Sequence, residues 1–318
     1  MNISAAIIVK NEENNLSRCI KSILPICNQI VVLDTGSDDI TPIIAINYGC
    51  HLFFHKWNND FSEARNFAIR HCYNDWILYI DADEELLIDA NLLNTISLDF
   101  EDDVGGLIVN INNFLDENLN TSKKHRFTRL FRNNKHIKFS GKIHEQIADS
   151  ILQNNYKIFD TNITINHYGY IGKNIEKEIR NKELLEQIAD DNEVFNQYHL
   201  ANTYFSMNDF DKALDIYKKI DSSIELTNLQ QENIKIKIAQ IYLKQNKFKD
   251  IINILDFKSE DIDNEGLRLS ILGATFLNLQ DYYKAKEYYS SPAVSISKIV
   301  DASLLEKVNK VFSMLNIV

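Results

Sequence analysis

Along the first hundred residues, short apolar runs alternate with segments whose apolar positions recur every three or four residues. "AAIIV", Ala5 to Val9, is followed by Leu16, Cys19, Ile20, Ile23 and Leu24, the one-sided stripe of an amphipathic helix. "QIVVLD" then reads as a buried strand ending at Asp34, and "ITPIIAINYG" as a helix closed by Gly49. A third strand, "HLFFHKW", leads into the helix "SEARNFAIRHC", and a fourth, "WILYI", runs up to Asp81. Strands alternating with helices argue for a parallel sheet with right-handed crossovers, in which ligands sit at the carboxyl ends of the strands. The polar clusters fall at those ends: Asn11-Glu12 after the first strand, Asp34 after the second, Asp81 and Asp83 after the fourth.

From 105 to 170 the pattern changes to strands without long helices, "GGLIVNI", "FTRLFR", "HIKFS" and "NITINHYGY", expected to extend the same sheet in mixed or antiparallel fashion. A polar stretch from Asp116 to Lys124 interrupts them and reads as a loop. Beyond about 175 the chain turns helical and repetitive. "HLANTYFSMNDFDKALDIY", "KIAQIYLKQNKFKDIINIL" and "ILGATFLNLQDYYKAKEYY" align so that Ala201, Ala239 and Gly273 are equivalent, 38 and 34 residues apart. Tyr204, Tyr242 and Phe276 follow three residues later, then Ala213, Ile251 and Ala285, then Tyr217, Leu255 and Tyr289. A period near 34 with small residues where paired helices approach, and aromatics filling the gaps, resembles the tetratricopeptide repeat in a degenerate form. The closing "LLEKVNKVFSMLNIV" reads as a helix covering the last repeat. The expected division is therefore an α/β domain over 1–175 and an all-α repeat domain over 176–318, in keeping with 318 residues being more than one core supports.

Composition narrows the function classes. With 34 basic against 45 acidic residues the net charge is -11, and no basic stripe interleaves with aromatics, which disfavours nucleic acid as a partner. Cys19, Cys27, Cys50 and Cys72 stand 8, 23 and 22 apart with no CxxC pair, so neither a zinc ribbon nor a disulfide scaffold is indicated, and free thiols in a reducing cytosol are expected. The short run Ala5–Val9 lacks the charged leader of a signal peptide, and no stretch has the length of a membrane span; the expectation is a soluble, cytoplasmic protein.

The chemistry centres on "WILYIDADEEL", where Asp81 and Asp83 flank Ala82. Flanking one residue at a strand end, both carboxylates are expected to point the same way, because side chains alternate with period two, and can share a hard divalent cation, Mg²⁺ or Mn²⁺, that keeps positions open for phosphate oxygens. Competing motifs fail on the letters. An EF-hand starting at Asp81 would need Gly where Leu86 stands and Glu where Leu92 stands; His144-Glu145 is followed by Ala148 where a zinc-protease motif requires His. Neither a dinucleotide fingerprint nor a P-loop is present. Helix capping by the two acids remains the structural alternative.

Taken in order, "IIVKNEENNLSRCIKSI", "QIVVLDTGSDDIT", "KWNNDFSEARN", "WILYIDADEEL", "RLFRNNKHIKFSGKIHEQI" and "INHYGY" resemble a family 2 glycosyltransferase of the GT-A fold, a Rossmann-like mixed sheet, across residues 1 to about 182. In layout the chain is similar to transferases with appended helical repeats, among them the sublancin-type peptide S-glycosyltransferases that modify bacteriocin precursors. The resemblance implies a UDP-sugar donor, with Asn11 and Glu12 lining the nucleotide pocket and Asp34 bonding the uracil or ribose. It implies Asp81 near ribose and metal, Asp83 on the metal, and Arg65 beside the sugar diphosphate or the neighbouring acids. Glu145 falls where the family places its catalytic base, with His144 as support. His167 resembles the histidine that completes the metal or diphosphate site. Lys177 and Arg180 read as a solvated helix face, and Trp57 as core. The implied reaction is inverting transfer to an acceptor nucleophile, a Cys or Ser of a peptide or protein being one class and a cell-surface or flagellar glycan another; a non-catalytic repeat scaffold is the alternative outside enzymes. The repeats could bind the acceptor or form a homodimer contact.

Overall fold

The strand-helix alternation of the first hundred residues builds one side of an eight-stranded mixed sheet. In this computed structural model the chain divides into two units, Met1–Asn174 and Ile175–Val318. All residues are described except 99, 115–117, 120, 121, 170, 172–174, 190–192, 316 and 318, together with the side chains of 123 and 175–178.

The first unit runs β1 (Ile3–Val9), α1 (Leu16–Ile23), β2 (Gln29–Asp34), α2 (Thr41–Asn47), β3 (His51–Phe54), α3 (Phe61–Ile69), β4 (Trp76–Tyr79), β5 (Glu84–Leu86), α4 (Ala90–Ser97), β6 (Val104–Phe114), β7 (Ser122–Arg132), α5 (Ala148–Gln153) and β8 (Lys157–His167). The spatial order is β3-β2-β1-β4-β7-β6-β8-β5. β3, β2, β1 and β4 are parallel; β7 is antiparallel to both β4 and β6, β8 is parallel to β6, and β5 closes the edge antiparallel to β8. Because β1, β2 and β4 are parallel neighbours, their carboxyl ends emerge at one edge.

Successive side chains of a strand face opposite sides, and the core follows that rule. Ile3, Ala5, Ile7 and Val9 of β1 pack with Leu16, Cys19, Ile20 and Ile23 of α1, whereas Ala6 packs with Val31 and Leu33 and with Ala64, Ala68 and Ile69 of α3. Both faces of β1, β2 and β4 are therefore buried, which is why these strands read as continuous apolar runs, whereas the edge strand β3 leaves His51 and Phe54 exposed.

Four local expectations change. β3 stops at Phe54, short of Trp57, and Trp57 packs edge-on against Phe61 at 4.8 Å at the start of α3. "HIKFS" makes no strand; Ser140 alone pairs with Gln146 to close a loop. Of the polar stretch Asp116–Lys124, Ser122–Lys124 already belong to β7, while 116, 117, 120 and 121 lie outside the described residues. Lastly, β4 ends at Tyr79, so Asp81–Asp83 form a turn, with the Glu84 amide donating to the Asp81 carbonyl at 3.0 Å, before β5 begins.

The second unit is helical: α6 (Ile175–Ile188), the pairs α7 (Val194–Ser206) with α8 (Phe210–Ile220), α9 (Asn228–Lys244) with α10 (Phe248–Ile254), and α11 (Ile262–Asn278) with α12 (Tyr282–Tyr289), then α13 (Pro292–Ile296) and α14 (Ala302–Met314). Ala201, Ala239, Ala213, Ile251 and Ala285 are fully buried where paired helices meet. A Cβ on Gly273 would lie 2.6 Å from the Tyr289 ring, so the third pair closes only with glycine there. All three pairs turn through the same left-handed residue, Asn208, Asn246 and Gln280, at φ 62°, 57° and 63°. The next amide returns to the carbonyl of Tyr204, Tyr242 or Phe276 at 2.9, 3.0 and 3.0 Å, the Schellman closure of a helix end. The repeats are tetratricopeptide-like helix pairs. No helix among the described residues is long and apolar enough to cross a membrane.

Candidate functional site

Asp34 ends β2 and is buried. Its Oδ1 accepts from the amides of Gly36 and Ser37 at 2.8 and 2.7 Å, and Gly36 adopts φ 114°, which only glycine takes without strain. Its Oδ2 is buried with no partner among the described residues, a costly arrangement unless something else donates to it. Asn11, at φ 56°, staples this loop: its amide donates to Ser37 Oγ at 2.9 Å and its Oδ1 accepts from the Asp38 amide at 2.9 Å. Glu12 holds the start of α1, accepting from Asn15 Nδ2 at 2.8 Å while its amide donates to Thr41 Oγ1 at 2.8 Å. The Asn11 side chain thus shapes the wall beside Asp34.

A second group forms around Arg65. Asp60 caps α3 by accepting from the Glu63 amide at 2.8 Å, and the helix start is sewn to the 139–146 loop. The Phe61 amide donates to the Lys142 carbonyl, Ser62 Oγ to the Gly141 carbonyl, and the Asn66 side chain pairs both ways with the backbone of Phe139. That stitching brings Glu145, at the far side of the loop, onto the Arg65 guanidinium: Arg65 Nε donates to Glu145 Oε1, and Arg65 Nη2 donates to Asp81 Oδ1 at 2.9 Å. One buried guanidinium therefore joins the strand-end acid to the loop acid. Burial opposes the charge on Arg65, but Asp81 and Glu145 outweigh it and hold the guanidinium firmly protonated.

Arg129 of β7 completes this group. Its Nη2 donates to Glu84 Oε1 at 2.7 Å and its Nη1 stands 3.6 Å from Asp81 Oδ2. Glu84 Oε2 in turn accepts from the Asp81 amide at 2.9 Å, bracing the turn. Arg65 and Arg129 both lie over the Tyr79 ring, at 4.7 and 4.3 Å from its centre. Burial pushes Asp81 upward, yet the two guanidiniums win and hold its carboxyl well below the ordinary carboxylate range. For Glu84 burial dominates and raises the carboxyl, against the pull of Arg129. Neither Arg129 nor Glu84 was among the residues the sequence singled out. The available signal was an arginine two residues from Phe131 on the inward face of "FTRLFR".

Asp83 and His167 form the third group. His167 Nε2 lies 3.4 Å from Asp83 Oδ1, and His167 Nδ1 is 2.7 Å from Asn113 Oδ1. Burial lowers the affinity of His167 for a proton, but Asp83 outweighs it and the imidazole titrates above its ordinary value. The Tyr168 amide donates to the Asp83 carbonyl at 3.0 Å, which brings Gly169 over the pair. A Cβ on Gly169 would fall 2.3 Å from Asp83 Oδ2 and 2.6 Å from His167 Nε2, so glycine keeps open the space between carboxylate and imidazole. One carboxylate and one imidazole around such a space suit a divalent ion that takes its other ligands from water and phosphate. Among the described residues no three carboxylate, imidazole or thiol groups gather tightly enough to hold an ion by themselves. Asp81, expected to share the metal, is turned to Arg65 and Arg129 instead, because the Asp81–Asp83 segment is a turn and not the extended strand that would aim both acids alike.

His144, at φ 54°, is held by burial below its ordinary proton affinity. Arg180 donates to Asn181 in α6, within the second unit; the Lys177 side chain lies outside the described residues.

The sequence model of the family described as "Glycosyl transferase family 2" matches residues 4–172. Among curated proteins, the chain is 36% identical over 174 residues to a TPR repeat-containing protein of Synechococcus elongatus, covering 53% of this chain and 42% of that protein. It is 26% identical over 296 residues to the SPbeta prophage-derived glycosyltransferase SunS of Bacillus subtilis, covering 85% of this chain and 66% of that protein. The chain thus spans 42% and 66% of the length of these two relatives. Among solved structures, S. aureus TarS 1–349 in complex with UDP-GlcNAc aligns over 91% of each chain at 14% identity with a TM-score of 0.41.

Proposed function

Because the chain belongs to glycosyl transferase family 2, we propose that it is an inverting, metal-dependent transferase that moves a sugar from a UDP-sugar to a peptide or protein acceptor in the cytoplasm. The observation that carries this is the Arg65 bridge, which joins Asp81 at the strand end to Glu145 on the loop, with Asp83 of the same turn paired to His167 at the end of β8.

Asp34 Oδ2 accepts from the uracil or ribose of the donor, the partner it otherwise lacks, and Asn11 and Glu12 form the surrounding wall. Asp83 and His167 hold the divalent ion, Mg²⁺ or Mn²⁺, which when bound neutralises charge on the departing diphosphate. Arg65 occupies Glu145 Oε1 and fixes the carboxylate, leaving Oε2 to accept the acceptor's proton. The acceptor atom attacks the anomeric carbon on the face opposite the diphosphate; the new glycosidic bond forms as the carbon–oxygen bond to UDP breaks, and the configuration inverts. Two buried guanidiniums, Arg65 and Arg129, keep Asp81 ionised beside the diphosphate. The helix pairs of the second unit supply a surface for an extended acceptor, in line with the relation to SunS, itself named a glycosyltransferase.

The test incubates the full chain with Mn²⁺, a panel of UDP-sugars and candidate peptides, and reads intact peptide mass together with UDP release. A hexose-sized gain on a peptide, lost in Asp83→Asn, supports the proposal. UDP release with glycan acceptors alone moves the acceptor to the glycan class. No uptake or turnover of any nucleotide sugar overturns the enzyme assignment and leaves a repeat scaffold.

A further inference from the structure

β6 lies between β7 and β8, and Asn113 near its end is directly paired with His167 of β8. On the other side His125 of β7 stands diagonal to it, opposite Ile111. Side chains at paired positions share a face of the sheet, so the Asn113 amide sits between two imidazoles. It is buried, with its Oδ1 2.7 Å from His167 Nδ1 and its Nδ2 3.3 Å from His125 Nδ1.

An amide oxygen carries only lone pairs, so the nitrogen facing it must carry a proton. The amide nitrogen has only protons to offer, so it faces the lone pair of His125 Nδ1. With the amide oriented this way a proton lies on His167 Nδ1, so that in the neutral imidazole the lone pair is on Nε2. His167 Nε2 is the atom that faces Asp83 Oδ1 at 3.4 Å across the space kept open by Gly169.

We propose that Asn113 is a positioning residue that fixes the tautomer and ring orientation of His167, so that Nε2 is presented as a ligand toward a divalent ion shared with Asp83. The inference rests on the reading of Asp83 and His167 as the ion's protein ligands. Neither the family model nor any relative's name assigns a role to Asn113. Without the amide oxygen, the imidazole is free to carry its proton on Nε2 or to rotate, and each alternative costs the ion a ligand. Loss of such an outer partner lowers metal affinity by roughly 10- to 100-fold. An aspartate at 113 also accepts from Nδ1–H and preserves the tautomer although it buries a charge; a leucine of similar size does not.

The experiment titrates Mn²⁺ into full-length protein with UDP present, by electron paramagnetic resonance of free Mn²⁺, for wild type, Asn113→Leu, Asn113→Asp and Asp83→Asn. The expected result is a 10- to 100-fold weaker dissociation constant for Asn113→Leu, with Asn113→Asp within a few-fold of wild type. Equal affinities for wild type and Asn113→Leu, or equal losses in the leucine and aspartate variants, overturn the inference while leaving the metal reading intact. Mn²⁺ binding that is absent from wild type, or unchanged in Asp83→Asn, overturns the metal reading and the inference with it. Should Asn113→Leu not fold, ¹⁵N chemical shifts of His167 in metal-loaded wild type, assigned with His167→Gln, decide the matter: a protonated Nδ1 is expected, and a protonated Nε2 refutes it.

Discussion

Asp34→Asn separates binding from stability more cleanly than any other change at the site. In the wild type Oδ1 is fully engaged by the Gly36 and Ser37 amides at 2.8 and 2.7 Å, whereas Oδ2 is buried with no partner among the described residues. An asparagine keeps its own Oδ1 on those two amides and puts an NH₂ where the carboxylate oxygen was. A donor group of uracil or ribose then meets another donor. A hydrogen bond to a charged acceptor contributes about 1.5–3 kcal/mol, so UDP affinity should fall roughly 10- to 150-fold at about 1.4 kcal/mol per tenfold. The ligand-free protein should hold its stability or gain, because a neutral amide is less costly to bury without a partner than a carboxylate. Calorimetric titration of UDP with Mn²⁺ present and thermal unfolding without ligand measure the two effects. An unchanged UDP affinity refutes the assignment of Oδ2 to the nucleotide, and a large loss of ligand-free stability shows that Asp34 serves the loop alone.

Three further changes probe the rest of the structure. Arg65→Met strips Asp81 and Glu145 of their shared buried partner and should cost about 3–5 kcal/mol of unfolding free energy in chemical denaturation, together with nearly all turnover; a loss below about 1 kcal/mol contradicts the bridge. Gly169→Ala drives a methyl to within 2.3 Å of Asp83 Oδ2 and should abolish Mn²⁺ binding in a fluorescence-quench titration while UDP alone still binds; normal Mn²⁺ uptake would show that the space is not the ion's. Burial pushes the Cys27 and Cys72 thiols up to about 12 and Cys50 up to about 11, so their neutral forms belong to the folded state. Their stabilisation is complete below the unfolded thiol value near 8.5 and is lost as pH rises from there toward 12, so denaturation midpoints should decline above about pH 9 and iodoacetamide labelling at pH 8 should be slow until urea is added.

What could be read from the letters follows from the range of each interaction. β1, β2, β4 and the intervening helices were legible because a strand buried on both faces shows as an unbroken apolar run, and α1 because its buried Leu16, Cys19, Ile20 and Ile23 recur with helical period. The repeats were legible through Ala201, Ala239 and Gly273, and a second signal at the same period, Asn208, Asn246 and Gln280 at the left-handed turns, stood in the sequence unused. "HIKFS" misled because its apolar Ile137 and Phe139 alternate like a strand while serving as anchors of a loop; both are buried against α3, and the loop's hydrogen bonds go to Asn66 and Gln146 instead of a ladder.

The site divides along the same line. Asp34 and the Asp81–Asp83 pair announced themselves as polar residues at the ends of apolar strands, a purely local signal. How they are used is set by partners 16 to 84 residues away: Arg65 for Asp81, Arg129 for Asp81 and Glu84, His167 for Asp83. The decisive local event is that β4 stops at Tyr79 and the chain turns, with the Glu84 carboxylate gripping the Asp81 amide. That turn sends Asp81 toward the two guanidiniums and leaves Asp83 toward His167, where a straight strand would have aimed both at one ion. On the proposed reading the fold divides the labour: Asp81 lies on the cationic side of the site with Glu145, the proposed base, and Asp83 with His167 and Asn113 lies on the proposed metal side. The two halves are joined through the turn itself and through the pairing of Glu84 in β5 with His167 in β8. A variant that lengthens or shortens Asp81–Glu84 by one residue should therefore uncouple them, because it breaks the Glu84–Asp81 clasp while every ligand side chain is still present.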